Sequence, residues 1–289
     1  MLLSMTGQGA ATAFDDNATV TVEIRAVNNR HLKVNLRAPD SLISSESAFE
    51  KLIRQNVGRG TVNVSVKLEK TTRKDDFTLD LELIQSYRQQ LKIDDGDNQS
   101  LDALLSLPGV VISRSQSNKV DDATVILVCE TLQQALQQFN QMREVEGASM
   151  AEDLLTQLEE LNSRLQTIRE LAPGVINKYS QRLTDKLNGL LEKHNLTISD
   201  SDVTREIGIF ADRCDITEEV VRLDSHISQF RSVVQGQTSQ GRKLDFITQE
   251  LFREINTIGS KANDTEIANT VVECKTIIER IREQVQNIE

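Results

Sequence analysis

Apolar residues alternate with polar ones in two short stretches near the N-terminus and recur every three or four positions over most of the remainder. In residues 20–36, VTVEIRAVNNRHLKVNL, Val20, Val22 and Ile24 point one way, and the alternation resumes at Leu32, Val34 and Leu36. Asn28-Asn29 interrupts it, as a turn or bulge would. Residues 61–68 alternate again, with Val62, Val64, Val66 and Leu68 on one face. Between the two, residues 44–56 have helical spacing at Phe49, Leu52 and Ile53, with Ser44 or Ser45 suited to cap the N-terminus. Residues 1–70 are therefore expected to form a small antiparallel sheet with a crossing helix. Residues 79–107 read as short helices in loops. The acidic turn Asp94-Asp95-Gly96-Asp97-Asn98 lacks the later ligands of a calcium loop, including the closing Glu, and reads as a plain turn.

From about Asp121 the spacing is helical. Leu154, Leu158, Leu161, Leu165 and Ile168 recur at steps of four and three, and Tyr179, Leu183, Leu187 and Leu190 continue the rhythm. That is a heptad seam, which packs lengthwise on a partner within the chain or in another subunit. Ala172-Pro173-Gly174 interrupts it, and Pro173 is expected to kink or end the first segment. His194, near the helix end, suits a capping or surface role. The last third holds three expected helices, at about 202–235, 243–259 and 264–288, with a polar loop at 236–241. The final one buries Ile267, Val271, Cys274, Ile278, Ile281, Val285 and Ile288 on one face. The fold class is α+β. A small N-terminal α/β head (1–120) is followed by a long helical, coiled-coil-like middle (121–200) and a C-terminal helical bundle (201–289).

Composition fits this reading. With no Trp and two Tyr, the core must be Leu, Ile and Val; three Pro and thirteen Gly suit long helices. No run of about eighteen apolar residues exists, so no membrane span is expected, and the N-terminus lacks the charge and apolar stretch of a signal peptide. Cys129, Cys214 and Cys274 are odd in number and widely spaced, as for buried thiols in a reducing cytosol rather than a zinc site. The net charge of −11 argues against a general nucleic-acid binder. Its distribution does not: residues 1–74 carry eleven Lys/Arg against seven Asp/Glu. A basic head on an acidic body suits an anionic partner at the head and metal carboxylates in the body, or simply acidic helices that keep the protein soluble.

Three clusters could carry chemistry. On a wheel that steps about 100° per residue from Lys243, Leu244, Ile247, Leu251, Ile255 and Ile258 form a core arc. Lys243, Glu250 and Glu254 share a narrow arc on its flank, where a solvated helix would not concentrate them. On the preceding helix Asp215, Glu218, Glu219, Arg222 and His226 share an arc of roughly 100° beside the core positions Ile216, Val220, Leu223, Ile227 and Phe230. Carboxylates and an imidazole stacked over three turns can hold a divalent cation, with the nitrogen favouring manganese-like ions; His226 could instead be a general acid or base. Read alone, the segment better suits an i,i+4 ladder in which Glu218 and Glu219 pair with Arg222. The pair Glu250 and Glu254 strengthens the reading of a shared site. Finally, Arg25, Asn28, Asn29, Arg30, His31 and Lys33 form a basic end of the first sheet, and Arg59-Gly60 precedes the later strand. These suit phosphate and base-edge contacts or an exposed edge that blocks aggregation. No Walker motif, dinucleotide fingerprint, nucleophile elbow or HExxH occurs, which counts against ATP hydrolysis and serine hydrolysis.

Ser4-Met5-Thr6-Gly7, Glu23-Ile24-Arg25-Ala26-Val27-Asn28, Arg59-Gly60, Arg143-Glu144-Val145-Glu146-Gly147, residues 215–226 and residues 241–289 together resemble the bacterial YicC/YloC family over the whole chain. The segments GRKLDF, REINTIGSKAND and REQVQNIE are highly specific. The resemblance implies a cytoplasmic endoribonuclease that cuts RNA internally, depends on a divalent metal, expected to be Mn²⁺, assembles as a homo-hexamer, and works beside other RNA-decay enzymes. Combined with the helix-wheel clusters, this makes Asp215, Glu218, Glu219, Glu250, Glu254 and His226 the expected metal ligands, with His226, Glu250 and Glu254 catalytic. Arg25, Asn28, Arg30, Arg59, Arg222, Lys243, Arg253 and Lys261 are the expected RNA contacts. A non-catalytic RNA-binding adaptor that presents RNA to another nuclease is the alternative. Two departures matter. Many members have Asn-His-Arg or Asn-Gln-Arg and then an aromatic where this chain has Asn28-Asn29-Arg30-His31, so a histidine role at position 29 does not carry over. Phe252 stands where Asn is common, and both flanking glutamates remain.

Overall fold

The computed structural model describes residues 1–70, 77–91, 101–113, 120–194 and 200–289. The acidic turn at 94–98 and the side chains of Leu190 and His194 lie outside the described residues. The architecture is α+β, and the chain divides into two compact units.

One unit comprises Gln8–Ala26 and His31–Asn140. Strands β1 (Gly7–Phe14), β2 (Ala18–Val27), β3 (Lys33–Arg37) and β4 (Thr61–Lys70) form a sheet in the order β1-β2-β4-β3. A three-residue turn joins β1 to β2, and the Asp15 carboxylate holds it by accepting the N–H groups of Asn17 and Ala18, both at 2.7 Å. The expectation of a wholly antiparallel sheet is corrected: β3 and β4 run parallel, with Lys33 opposite Thr61 and Arg37 opposite Ser65. The reason is the crossing helix itself. Helix α1 (Glu46–Asn56) lies between β3 and β4 and returns the chain to the starting end, as a parallel pair requires. A 3-10 turn over Asp40–Ser45 runs directly into α1, so Ser45 adopts helical angles and its hydroxyl makes no capping bond. Period-two residues Val20, Val22, Ile24 and Val62 are fully buried with Phe49 and Ile53 of α1. The start of helix α4 (Asp122–His194) adds Val128, Leu132 and Phe139 to that core. Burying each such side chain is worth about 1.5–3 kcal/mol. A small two-stranded antiparallel sheet, β5 (Phe77–Leu79) with β6 (Val111–Ser113), frames α2 (Leu81–Leu91) and α3 (Leu101–Leu105) in the chain order. Three-residue strands carry too little alternation to be read from sequence.

The other unit comprises Met1–Gly7, Val27–Arg30 and Gln141–Glu289. Here Leu154, Leu158, Leu161, Leu165 and Ile168 of α4 are fully buried, in one core with α6 (Thr217–Val234), α7 (Gly241–Lys261) and α8 (Thr265–Val285). The first half of the heptad seam thus finds its partner within the chain. Pro173 does not end α4, which continues to His194. The expected helix at 202–235 is two helices, α5 (Asp200–Cys214) and α6, separated at Asp215-Ile216. Asp215 takes the N–H of Thr217 at 2.9 Å and so starts α6 rather than continuing α5. All seven apolar residues assigned to the final helix face are buried, with Ile288 just beyond α8.

The chain termini are locked into this second unit. Ser4 bridges Ile288, the Met5 N–H donates to Asn287 O at 2.8 Å, and the Glu289 N–H donates to Leu3 O at 2.9 Å. Arg143 is buried (1% exposed); its Nε donates to Ser4 O at 2.6 Å, and it pairs with the Glu289 carboxylate. Gly147 and Gly241 permit the close approach. A Cβ would lie 2.1 Å from Leu2 O at position 147 and 2.2 Å from Ile288 O at position 241.

Candidate functional site

Helices α6 and α7 are joined by the short segment 235–240 and pack against each other. Their side-chain pairs show an antiparallel hairpin: Glu219 meets Lys261 at one end, Arg222 reaches Glu254 in the middle, and His226 meets Glu250 and Glu254 further along. The same apolar stripes that set the wheel arcs fix this register. Leu223, Leu251 and Ile255 are fully buried, and Ile227 is 3% exposed. Their flanking polar positions must then face one another across the seam.

Three side chains converge there. His226, Glu250 and Glu254 each offer one ligand atom, and these atoms all lie within 4.8 Å of one another. Among the described residues this is the one group of three or more His, Cys, Asp or Glu side chains so arranged. Glu254 is buried at 3% exposure, whereas Glu250 and His226 are partly exposed. The set therefore has a fixed inner carboxylate and an open outer side. His226 Nδ1 is buried with no hydrogen-bond partner. A carboxylate pair whose nearest cations, Arg253 Nη1 at 3.6 Å from Glu250 and Arg222 Nη1 at 3.8 Å from Glu254, both stand beyond hydrogen-bond distance, and an unpartnered imidazole nitrogen fit a small divalent cation. Two ligands at about 2.1 Å from such an ion stand no more than about 4.2 Å apart, so side chains spaced up to 4.8 Å would close by a few tenths of an ångström to hold it. Two carboxylates and one imidazole suit a hard ion that tolerates nitrogen, such as Mn²⁺.

The other three expected ligands are held elsewhere. Glu219 is buried (6% exposed) and accepts a hydrogen bond from Lys261 Nζ at 2.7 Å; its second oxygen has no partner. The same ammonium donates to the Asp215 carbonyl at 3.2 Å. The bond to Glu219 raises the Lys261 pKa, and the bonds from Thr217 lower that of Asp215. Glu218 is exposed and pairs with Arg222 one turn on. Of six carboxylate and imidazole candidates, the fold brings three together, pairs Glu218 and Glu219 with protein cations, and commits the Asp215 carboxylate to Thr217.

The expected RNA contacts also separate. Lys243 and Arg253 are exposed on α7, with Arg253 Nη1 3.6 Å from Glu250. Arg222 and Lys261 are engaged as described. Asn28 gives both amide hydrogens to the chain terminus, one to Gln286 O and one to Asn287 Oδ1, each at 2.8 Å. Arg30 is exposed. In the sheet unit Arg25 is exposed and Arg59 half-buried. There Arg25 borders a groove of about 770 Å³ with Arg37, Asn35 and Asn63, and Asn35 donates to Asn63 at 2.9 Å. The sequence reading missed Arg37, Asn35 and Asn63. The available signal was the polar phase of each strand, Asn63 between Val62 and Val64 on β4, and Asn35 and Arg37 beside Val34 and Leu36 on β3. It also missed Lys178, which bonds Asp264 at 2.9 Å and Glu266 at 3.0 Å and so secures the start of α8; that pairing joins positions distant in sequence and left no local pattern.

Among the described residues no helix is long and apolar enough to cross a membrane. Two family models match the chain. One, described as Endoribonuclease YicC-like, N-terminal region, covers residues 2–152. The other, described as Endoribonuclease YicC-like, C-terminal, covers residues 168–289 and so contains His226, Glu250 and Glu254. The chain is also similar to two proteins named probable endoribonuclease YicC. That of Clostridioides difficile (strain 630) is 33% identical over 295 residues, and that of Haemophilus influenzae (strain Rd) is 30% identical over 294, with all of each chain covered in both cases. With both halves of the chain matched by the family models and two full-length relatives at 30% identity or more, the protein belongs to the YicC-like endoribonuclease family.

Proposed function

We propose that this chain cuts RNA internally at a divalent-metal centre held by His226, Glu250 and Glu254, with Mn²⁺ the preferred ion. The observation that carries the reading is their convergence on the α6–α7 seam, with one imidazole nitrogen buried and unpartnered. When bound, the ion supplies Lewis-acid charge at the scissile phosphate and a more acidic water. The chain's own groups do the rest. Glu254 is fixed by burial, and the hairpin core sets the spacing of all three ligands. The partly open side at Glu250 and His226 admits the phosphodiester, while exposed Lys243 and Arg253 hold neighbouring phosphates. In the cutting step a water oxygen bonds to phosphorus and the P–O bond to the next nucleotide breaks. Glu250, the more open carboxylate, takes the water proton, and the leaving oxygen is protonated from solvent.

The wider setting is part of the same proposal: RNA turnover in the cytosol, a homo-hexamer, and action beside other RNA-decay enzymes. The family motifs support it, as do Leu183 and Leu187, which continue the α4 seam at only partial burial. Cleavage of an end-labelled RNA hairpin by the purified full chain, in EDTA or with Mn²⁺, tests the centre. Mn²⁺-dependent internal cuts that disappear in His226→Ala and Glu250→Ala are expected. Cutting that survives in both variants would overturn the assignment, and binding without cutting would favour an RNA-presenting adaptor.

A further inference from the structure

We propose that the centre takes one divalent ion per chain and that Arg222 supplies, at the scissile phosphate, the second positive charge that a two-metal nuclease draws from its second ion. The inference rests on the metal centre proposed above. Two-metal sites clamp both the attacking and leaving oxygens of an in-line displacement and need carboxylates for both ions. Here two of the carboxylates that a second ion would need, Glu218 and Glu219, are already paired with protein cations, and that of Asp215 accepts the Thr217 N–H. Lys261 occupies Glu219 together with the Asp215 carbonyl, and Arg222 holds Glu218. A second ion would have to displace an ammonium seated at 2.7 Å against a buried carboxylate.

Arg222 is placed to do more than fill that space. Its backbone lies one turn before His226 on the same arc of α6. Its guanidinium spans from Glu218 to within 3.8 Å of Glu254, and its side chain is half exposed (51%). The exposed Glu218 tether fixes one edge of the fork, and the contact with Glu254 is too long for a hydrogen bond. Donors of this half-exposed side chain therefore remain accessible to a phosphodiester oxygen at the centre. A planar guanidinium suits a phosphate better than an ammonium does. Because Arg222 also repels a cation bound beside Glu254, its removal should affect ion binding and cleavage in opposite directions, which a merely structural residue would not do.

The experiment uses the full chain. Mn²⁺ is titrated by electron paramagnetic resonance and calorimetry into wild type, Arg222→Gln, Arg222→Lys and His226→Ala, and RNA cleavage is then measured at saturating Mn²⁺. One Mn²⁺ per chain is expected in wild type. Arg222→Gln should bind Mn²⁺ about two- to fivefold more tightly, the scale of losing one half-exposed ion-pair partner. Its kcat should fall on the order of a hundredfold, with Arg222→Lys between the two. Two ions per chain in wild type, or an Arg222→Gln variant with unchanged kcat, would overturn the inference while leaving the centre in place. Parallel loss of Mn²⁺ affinity and thermal stability in Arg222→Gln would also overturn it, because Arg222 would then be a structural brace. Failure of wild type to bind Mn²⁺ more tightly than His226→Ala would instead sink the metal centre itself.

Discussion

Removing the Arg143 side chain tests how the chain termini hold the helical unit. Arg143 is 1% exposed, and burial lowers its pKa from the ordinary guanidinium value. Its Nε–H donates to Ser4 O at 2.6 Å, and its other edge pairs with Glu289, whose side chain is 18% exposed. Arg143→Ala would leave a carbonyl and a carboxylate without their donor and open a cavity along α4. Breaking a buried pair from one side costs about 3–5 kcal/mol. Since Glu289 can partly rehydrate, a loss near the lower end, about 3 kcal/mol, is expected. Glu289→Gln keeps a neutral acceptor for the guanidinium and should cost only about 1 kcal/mol. The assay is urea unfolding followed by circular dichroism at pH 7, comparing midpoints at constant slope. RNA cleavage at temperatures where all three proteins are folded should not change, because neither residue touches His226, Glu250 or Glu254. A loss under about 1 kcal/mol for Arg143→Ala, or an equal loss for both variants, would refute the clamp.

Four further outcomes are expected. Glu254→Gln removes a buried negative charge crowded against Glu250; in EDTA its melting temperature should equal or exceed that of wild type, while Mn²⁺ should raise the wild-type melting point and leave the variant's unchanged. The Lys178 bond and the helix N–H groups hold the Asp264 pKa below its ordinary value, so this stabilisation is full above about pH 4 and lost as pH falls through the depressed value; the melting-point gap between wild type and Asp264→Asn should therefore close below about pH 4. Burial pushes the Cys274 thiol up to about 12, and at pH 8 a thiol reagent should label it only after denaturation, readily checked by mass spectrometry. Gly9→Ala puts a Cβ 2.3 Å from Ala135 O and should cost about 1–3 kcal/mol, whereas Gly174→Ala, which meets nothing within 4 Å inside α4, should be neutral or stabilising by up to about 1 kcal/mol; the two melting curves decide.

Long amphipathic patterns were legible and short or contact-dependent features were not. Residues such as Leu154, Leu251 and Ile278 repeat the helical period over many turns, so their burial could be read directly. The direction of β3 could not. Val34 and Leu36 alternate identically in a parallel or an antiparallel strand, and only the chain's path through α1 decides between them. The break at Asp215 escaped because the apolar period runs through it, while a single side-chain bond to Thr217 N–H separates α5 from α6. At the candidate centre the wheels placed His226, Glu250 and Glu254 on flanks that the hairpin brings together. They could not tell Glu219 from Glu254, since both are buried flanking acids. What separates them is the opposing residue, Lys261 in one case and His226 in the other, and that depends on the hairpin register.

The specific motifs of this chain therefore do two physical jobs. Ser4, Arg143, Gly147, Gly241 and the terminal Gln-Asn-Ile-Glu residues lock the ends of the chain where α7 begins. Residues 215–226 and 249–254 build the charged seam of the hairpin. The second job works against stability. A carboxylate at 3% exposure, another beside it and an unpartnered imidazole nitrogen are costly to bury. Such a cluster holds its geometry only if its surroundings determine it, and both halves of that requirement are visible. Leu223, Ile227, Leu251 and Ile255 fix the helices from within. The Gly241 contact with Ile288 fixes the start of α7 two and a half turns before Glu250, so that helix cannot slide to relieve the repulsion. Segments far from the centre thus help to set where its side chains stand.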